Sequence, residues 1–244
     1  MCEVCRRESS FHQAQPSRRG LLRLLGGAAA GLALAGTVNA KEAKKPPKPQ
    51  NVVSPDASLE LLTKGNKRYV DGVRHDFKSE REALVGGQNP YAGILSCADS
   101  RIAPEYAFDS GRGDLFVCRV AGNFANDDTI ASMEYAVAIL HTPLIMVLGH
   151  DACGAVDATI KSLKDNTTLP GHLPSLVTSL APAVKAVSGR PGDLLDNAIR
   201  QNVTDNVAKL KSATPILNSA VEQGKLKVVG GIYRLKDGRV EMIS

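Results

Sequence analysis

The hydrophobic positions after residue 50 follow two patterns, short continuous apolar runs and longer stretches with apolar side chains at helical spacing. The continuous runs are typical of buried strands, and the spaced stretches are typical of helices that cover them. The first helix is expected to begin at Ser54-Pro55-Asp56, a capping signal, and to end at Asp71-Gly72. The predicted strands are Tyr91–Leu95, Leu115–Val120, Leu144–Leu148, Leu226–Tyr233 and Arg239–Ile243, and the later helices are Ala103–Phe108, Thr129–Leu140, Cys153–Leu163, Ser175–Val187, Leu194–Ala213 and Pro215–Gln223.

This alternation of strands and helices predicts an α/β fold with a mainly parallel sheet of four strands flanked by helices. The last two strands surround Lys236-Asp237-Gly238, whose Asp-Gly pair is a strong hairpin signal. The final strand is therefore expected to form an antiparallel edge. The helix Leu194–Ala213 carries Asn202 and Asn206 among its apolar positions, which predicts that its inner face is partly polar.

The first forty residues differ from the rest and read as a cleavable signal peptide, residues 1–40. Arg18 and Arg19 precede an apolar run, Leu24–Val38, which ends in Val38-Asn39-Ala40, a sequence that suits signal peptidase. The run is too short to cross a bilayer comfortably, where about 20 apolar residues are needed, so no stable membrane anchor is expected. The paired arginines resemble a twin-arginine signal and predict a periplasmic or otherwise exported protein. An ordinary secretory signal with a chance Arg-Arg pair is the alternative.

Residues 41–53 are predicted to be a flexible linker, because 41–50 holds four lysines and three prolines. Residues 54–244 are then the folded domain. The net charge of +5 invites a nucleic-acid interpretation, but 1–40 carries +3 and 41–50 another +3, which leaves −1 for the remainder. The folded part therefore offers no bulk electrostatic attraction for nucleic acid.

Two cysteines and a histidine follow two of the predicted strands. Cys97 lies at the carboxyl end of the first strand, and His150 and Cys153 follow the third. If these strands are neighbours, their carboxyl ends bring the three side chains together at the place where doubly wound sheets bind ligands. Two thiolates and one imidazole are a donor set for catalytic Zn²⁺, which keeps its fourth position open. Cys153 also begins a helix, where amide dipoles favour a thiolate.

Each of these residues also has a structural interpretation. A cysteine at a strand end is often an inert core residue, as we expect for Cys118. A lone histidine more often serves a core hydrogen bond, and Cys97 and Cys153 could form a disulfide in an oxidising compartment. Asp99 and Arg101 favour the metal interpretation, because they place a charged pair beside the same cysteine.

Cys97-x-Asp99-x-Arg101 with His150-x-x-Cys153 resembles the signature of the β-class carbonic anhydrases. The resemblance extends over roughly residues 54–244 and includes Gly113–Val117, Arg119, Ala121–Asn123, Ser132–Ala136 and Gly149–Val156. It implies one zinc ion per subunit, reversible hydration of carbon dioxide to bicarbonate and a proton, and self-association to a dimer or tetramer. It also implies that Asp99 can become a fourth zinc ligand in a closed site.

The residues suggest how the reaction would proceed. Hydroxide on zinc would attack carbon dioxide, with Asp99 accepting a hydrogen bond from the nucleophile and Arg101 holding Asp99 through a two-pronged ion pair. Gly154 is a further candidate substrate contact. Because two thiolates make the zinc a weaker Lewis acid than three histidines would, activity should rise at alkaline pH. A carbonyl sulfide or carbon disulfide hydrolase and a non-catalytic zinc-binding or redox protein are the alternatives.

Overall fold

The computed structural model describes residues 53–76 and 81–243. The predicted signal peptide and all of the predicted linker except Val53 lie outside the described residues. None of the helices in the described ranges is long and apolar enough to cross a membrane.

A five-stranded sheet with the order β2-β1-β3-β4-β5 forms the centre of the fold. The first four strands pair in parallel, and β5 pairs with β4 in the antiparallel direction. The prediction of four parallel strands with an antiparallel edge strand is confirmed. The strands are β1 (Ala92–Ser96), β2 (Leu115–Arg119), β3 (Leu144–His150), β4 (Lys227–Tyr233) and β5 (Val240–Met242).

Helices cover both faces of the sheet. Most lie within two or three residues of their predicted bounds, but the four-residue helix at 81–84 was not predicted, because so short an element has no periodicity to detect. The helices are α1 (Pro55–Val70), α2 (Arg81–Leu84), α3 (Pro104–Ala107), α4 (Asp127–Ala138), α5 (Gly154–Asp165), α6 (Pro174–Val187), α7 (Leu194–Ser212) and α8 (Ile216–Glu222).

The central strands β1 and β3 are buried along their whole length, because apolar side chains on both of their faces enter a core. One core contains Leu95 and Val147 together with side chains of α6 and α7. The other core, on the opposite face, contains Ile94 and Met146 together with side chains of α1 and α3. This arrangement fixes the carboxyl ends of β1 and β3 side by side.

Local capping explains where two of the helices begin. The Ser54 side chain accepts a hydrogen bond from the amide of Ala57 and caps α1, as predicted. Asn126 and Thr129 form a capping box at α4, in which each side chain accepts a hydrogen bond from the backbone amide of the other. Because Asn126 is the cap, α4 begins two residues before the predicted start at Thr129.

Candidate metal centre

The predicted ligands converge at the carboxyl ends of two neighbouring strands. Cys97 follows β1 directly, and His150 is the last residue of β3. The chain leaves β1 toward β2 on one side of the sheet, and it leaves β3 toward β4 on the other side. The site therefore lies at the point where the connections diverge, as predicted from the strand pattern.

Cys153 reaches the same point through a tight turn. Ala152 has a positive φ of 50°, a left-handed conformation that residues other than glycine seldom adopt. The turn brings Cys153 to the N-cap position of α5. Contact with Cys97 and burial raise the pKa of the Cys153 thiol there, and the backbone amides of Val156 and Ala155 at the start of the helix oppose that rise.

Cys97 Sγ, His150 Nε2 or Nδ1, and Cys153 Sγ form a compact group whose ligand atoms all lie within 4.8 Å of one another. The three residues are 3%, 0% and 1% exposed, so a cation between them would be shielded from bulk solvent. The two sulfurs are 4.0 Å apart and both thiols are free, whereas a disulfide requires about 2.05 Å. The arrangement is that of two ligands and not of a crosslink.

His150 presents one nitrogen to this group and uses the other for orientation. Its Nδ1 lies 2.8 Å from the carbonyl oxygen of Asp151, so Nδ1 carries the proton and donates it there. Its Nε2 is buried and has no hydrogen-bond partner. A buried nitrogen without a partner is costly, and a cation between the sulfurs and Nε2 would satisfy it. The residues present therefore fit a bound metal.

The two thiols titrate as a pair. The pKa of Cys97 is lowered to about 4, first by its hydrogen bond with Cys153 and also by contacts with His150 and the Gly122 amide, although burial opposes the shift. The same sulfur–sulfur contact, with burial, raises the pKa of Cys153. One negative charge is thus stable in the group without a cation, and a divalent cation would stabilise the second thiolate as well.

Asp99 and Arg101 form the predicted pair. Arg101 Nε and Nη2 donate to the two carboxylate oxygens of Asp99 at 2.9 and 2.7 Å, and the Arg101 amide donates to Oδ1 at 2.9 Å. This contact holds the pKa of Asp99 well below its usual range, so Asp99 stays ionised. Arg101 Nη2 also donates to the carbonyl of Ala152 at 3.1 Å, which links the two segments that carry the ligands.

Asp99 borders the candidate ligands without joining them. Its Oδ2 lies 3.8 Å from His150 Nε2, and it is not one of the three residues that group as potential ligands. Its role as a conditional fourth ligand stays a prediction. Gly154 is exposed at the start of α5, where an added Cβ would meet nothing within 4 Å, and its predicted contact with substrate also stays a prediction.

Arg119 supports the site in a way that the sequence did not reveal. Its guanidinium donates to the backbone carbonyls of Cys97 at 3.0 Å, Asp99 at 2.7 Å and Ile102 at 2.9 Å. One side chain therefore fixes the segment that carries a ligand and the Asp99–Arg101 pair. The only signals in the sequence were that Arg119 lies near the end of a predicted strand and that it is among the residues that resemble the family named above.

Comparison with known proteins gives a consistent family assignment. The family model described as carbonic anhydrase matches residues 92–240. Carbonic anhydrase 2 of Mycobacterium tuberculosis is 40% identical over 191 residues, which cover 76% of this chain and 91% of the relative. The carbonic anhydrase of Synechococcus elongatus is 33% identical over 73% of this chain and 71% of the relative.

A solved structure shows the same architecture. The β-carbonic anhydrase CcaA superimposes with a TM-score of 0.60 and 30% sequence identity, covering 76% of this chain and 95% of that one. The residues that the family model matches, 92–240, include both strands that end in the ligand group described above.

Proposed function

This chain belongs to the β-class carbonic anhydrases, and from that premise we propose that Cys97, His150 and Cys153 hold one Zn²⁺ ion. The reaction is the reversible hydration of carbon dioxide to bicarbonate and a proton. The observation that carries the metal assignment is the buried His150 Nε2, which has no hydrogen-bond partner and lies beside two free sulfurs.

The donor set favours zinc over Mg²⁺ and Ca²⁺. Thiolate and imidazole ligands suit Zn²⁺, whereas Mg²⁺ and Ca²⁺ take oxygen ligands. When bound, zinc supplies the Lewis acidity that activates water toward carbon dioxide at moderate pH. The two thiolate charges of Cys97 and Cys153 would cancel the charge of the ion, so a higher pH would be needed than at a three-histidine site.

The chain's own residues position the nucleophile. Asp99 is ionised, so its carboxylate can only accept hydrogen bonds, and we assign it the role of accepting one from the attacking water molecule. Arg101 keeps both oxygens of that carboxylate in a fixed direction, which a lysine could not do with a single ammonium group. The Asp151 carbonyl accepts from His150 Nδ1, so the ring keeps a proton on that nitrogen and Nε2 is the nitrogen that would face the metal.

Two further roles are proposed at the same place. Asp99 could leave Arg101 and become a fourth metal ligand that closes the site, and the 3.8 Å between its Oδ2 and His150 Nε2 supports this. Gly154 would contact substrate, since it follows a ligand directly and leaves open space.

We also propose that the chain self-associates to a dimer or tetramer. The proposal rests on the resemblance to the β-class family, and it is compatible with large apolar side chains that remain exposed, among them Val85 at 86%, Tyr106 at 64% and Ile139 at 60% exposure. Light scattering coupled to size exclusion would measure the mass, and a monomer at micromolar concentration would contradict the proposal.

Export through a twin-arginine signal in residues 1–40 is a separate proposal. It rests on Arg18 and Arg19 followed by the apolar run. Replacing both arginines with lysine should abolish export, and normal export of the doubly substituted chain would contradict it.

The experiment for the function combines metal analysis with a substrate comparison. The purified chain should contain one zinc per subunit and hydrate carbon dioxide, lose activity on chelation and regain it with Zn²⁺. Parallel assays with carbonyl sulfide and carbon disulfide test the alternative hydrolase activities. Faster turnover of either sulfur compound than of carbon dioxide would overturn the substrate assignment.

A further inference from the structure

Helix α7 carries two buried amide side chains that the reaction described above does not use. Asn202 and Asn206 are 2% and 7% exposed, on a helix face that otherwise packs into the apolar core. The Nδ2 of Asn206 donates to Oδ1 of Asn202 at 3.0 Å and to the backbone carbonyl of the same residue at 2.7 Å. Burying two amides is costly unless their hydrogen bonds are made, so their partners indicate their purpose.

Both amides bind the segment that follows β2. Asn202 Nδ2 donates to the carbonyl of Gly122 at 2.8 Å, and Asn206 Oδ1 accepts from the amide of Ala125 at 2.6 Å. One turn further along α7, Lys209 Nζ donates to the carbonyl of Ala125 at 2.6 Å. Three side chains on one face of α7 therefore hold residues 122–125.

Gly122 connects this contact to the metal centre. Its amide donates to Cys97 Sγ at 3.3 Å, while its carbonyl accepts from Asn202. Its φ of +88° is the left-handed region that favours glycine, and an added Cβ would lie 2.8 Å from Leu180 Cδ1. Gly122 thus contacts the candidate ligand Cys97 through its amide and helix α7 through its carbonyl.

The same helix packs against the strand that carries the second ligand. A Cβ added at Gly149, directly before His150, would lie 2.7 Å from Val203 Cγ2. Because α7 touches the chain beside both Cys97 and His150, a test must change the amide at 202 without displacing the helix. Leucine has the same number and branching of side-chain heavy atoms as asparagine but no hydrogen-bond donor, and it is a good helix former, so it serves this purpose.

We propose that Asn202 is a positioning residue for the Cys97 thiolate: by holding the Gly122 carbonyl, it directs the Gly122 N–H at Sγ. Asn206 and Lys209 support it by fixing the same segment at Ala125. An N–H donor to a thiolate withdraws electron density from the sulfur and tunes the bound metal. The inference rests on the proposed function, in that Cys97 must be a metal ligand.

The test uses the full chain loaded with Co²⁺, whose thiolate charge-transfer absorption reports on the ligand sulfur. The variants are Asn202→Leu and Asn206→Leu. Asn197→Leu is the matched control, because Asn197 lies on the same helix but its Nδ2 donates to the carbonyl of Pro191 at 3.0 Å. In Asn202→Leu the absorption should move to longer wavelength. A chelator should also remove zinc from this variant about 10-fold faster, which is the lower end of the effect expected when a hydrogen bond to a metal ligand is lost. Asn206→Leu should show a smaller change, and Asn197→Leu none.

The outcomes separate the two proposals. Thiolate absorption in the wild type with identical spectra and zinc release rates in Asn202→Leu and Asn197→Leu would overturn the role of Asn202 and leave the proposed metal site intact. Absence of thiolate absorption in the cobalt-loaded wild type would overturn the metal site itself. If Asn202→Leu does not fold, the Asn206→Leu spectrum decides, and an unshifted band would count against the proposal.

Discussion

The two segments that carry the candidate ligands are held by different means. Residues 97–102, the β1 segment, depend on groups that are distant in sequence, the Arg119 side chain and the Gly122 amide. Residues 150–153, the β3 segment, depend more on backbone groups, through the Asp151 carbonyl and the start of α5, and receive one distant side-chain donor, Arg101 on the Ala152 carbonyl. Side-chain substitutions should therefore disturb the β1 segment far more than the β3 segment.

Asp99→Asn should have the largest effect within the β1 segment while leaving the metal in place. The amide keeps the shape of the carboxylate but loses the charge that Arg101 and the attacking water recognise. We expect kcat to fall by about 100-fold or more, the range of a lost acid–base or orienting group, with unchanged zinc content. Stopped-flow carbon dioxide hydration and elemental analysis would measure both, and full activity would favour a non-catalytic role for the site.

Arg119→Met tests whether the β1 segment needs the hydrogen bonds that the Arg119 side chain donates to it. Three backbone carbonyls lose their donor, so we expect about 10-fold faster zinc release and about 2 kcal/mol lower stability toward unfolding. Arg190→Met, in the loop between α6 and α7, is the control. Zinc release and denaturant midpoints equal to those of the control would show that the segment holds itself.

The pH dependence of kcat is expected to show a third effect, of moderate size. Arg101 lowers the pKa of Asp99, so Asp99 stays charged even at pH values below the normal titration range of an aspartate and cannot cause a change near neutrality. We attribute a rise in kcat between about pH 6.5 and 9 to ionisation at the metal centre, with up to about a tenfold change per pH unit below the apparent pKa. A flat profile over that interval would contradict the proposed donor set.

Acidification should also release the metal. Contact with Cys97 raises the pKa of His150 despite its burial, and contact with Cys97 together with burial raises that of Cys153. Protons therefore compete with the cation for both ligands as the pH falls. Zinc retention measured by dialysis across the acid range should decrease in parallel with activity, and retention that is independent of pH would exclude these ligands.

Asp151→Asn should have the smallest effect, although Asp151 adjoins His150. The histidine is oriented by the backbone carbonyl of Asp151, and the carboxylate accepts only from the amide of Leu235 at 2.9 Å among the hydrogen bonds described here. An asparagine keeps that acceptor, so zinc release should stay within about twofold of wild type and stability within about 1 kcal/mol. If zinc release and stability changed as much as in Arg119→Met, the β1 and β3 segments would not differ in how they are held.

The difference between local and distant contacts in the two segments also explains what could be predicted from sequence. Strand ends and the His150–Cys153 interval are local patterns, so the convergence of Cys97, His150 and Cys153 followed once β1 and β3 were taken as neighbours. Arg119, Gly122 and Asn202 act across long sequence separations, and residue type alone does not reveal which carbonyl or sulfur they meet. The start of α4 was misplaced for a different reason: its cap at Asn126 is local but precedes the apolar periodicity from which the helix was predicted.

The most direct measurement is zinc content together with the rate of carbon dioxide hydration, for the wild type and for Cys153→Ser. The account predicts one zinc per subunit and rapid hydration in the wild type. In Cys153→Ser it predicts that the zinc content and the hydration rate both fall. Each should fall by more than the roughly 10- to 100-fold expected when a hydrogen bond outside the ligand set is lost. Metal-free, inactive wild-type protein, or a Cys153→Ser protein that keeps its zinc and its rate, would contradict it.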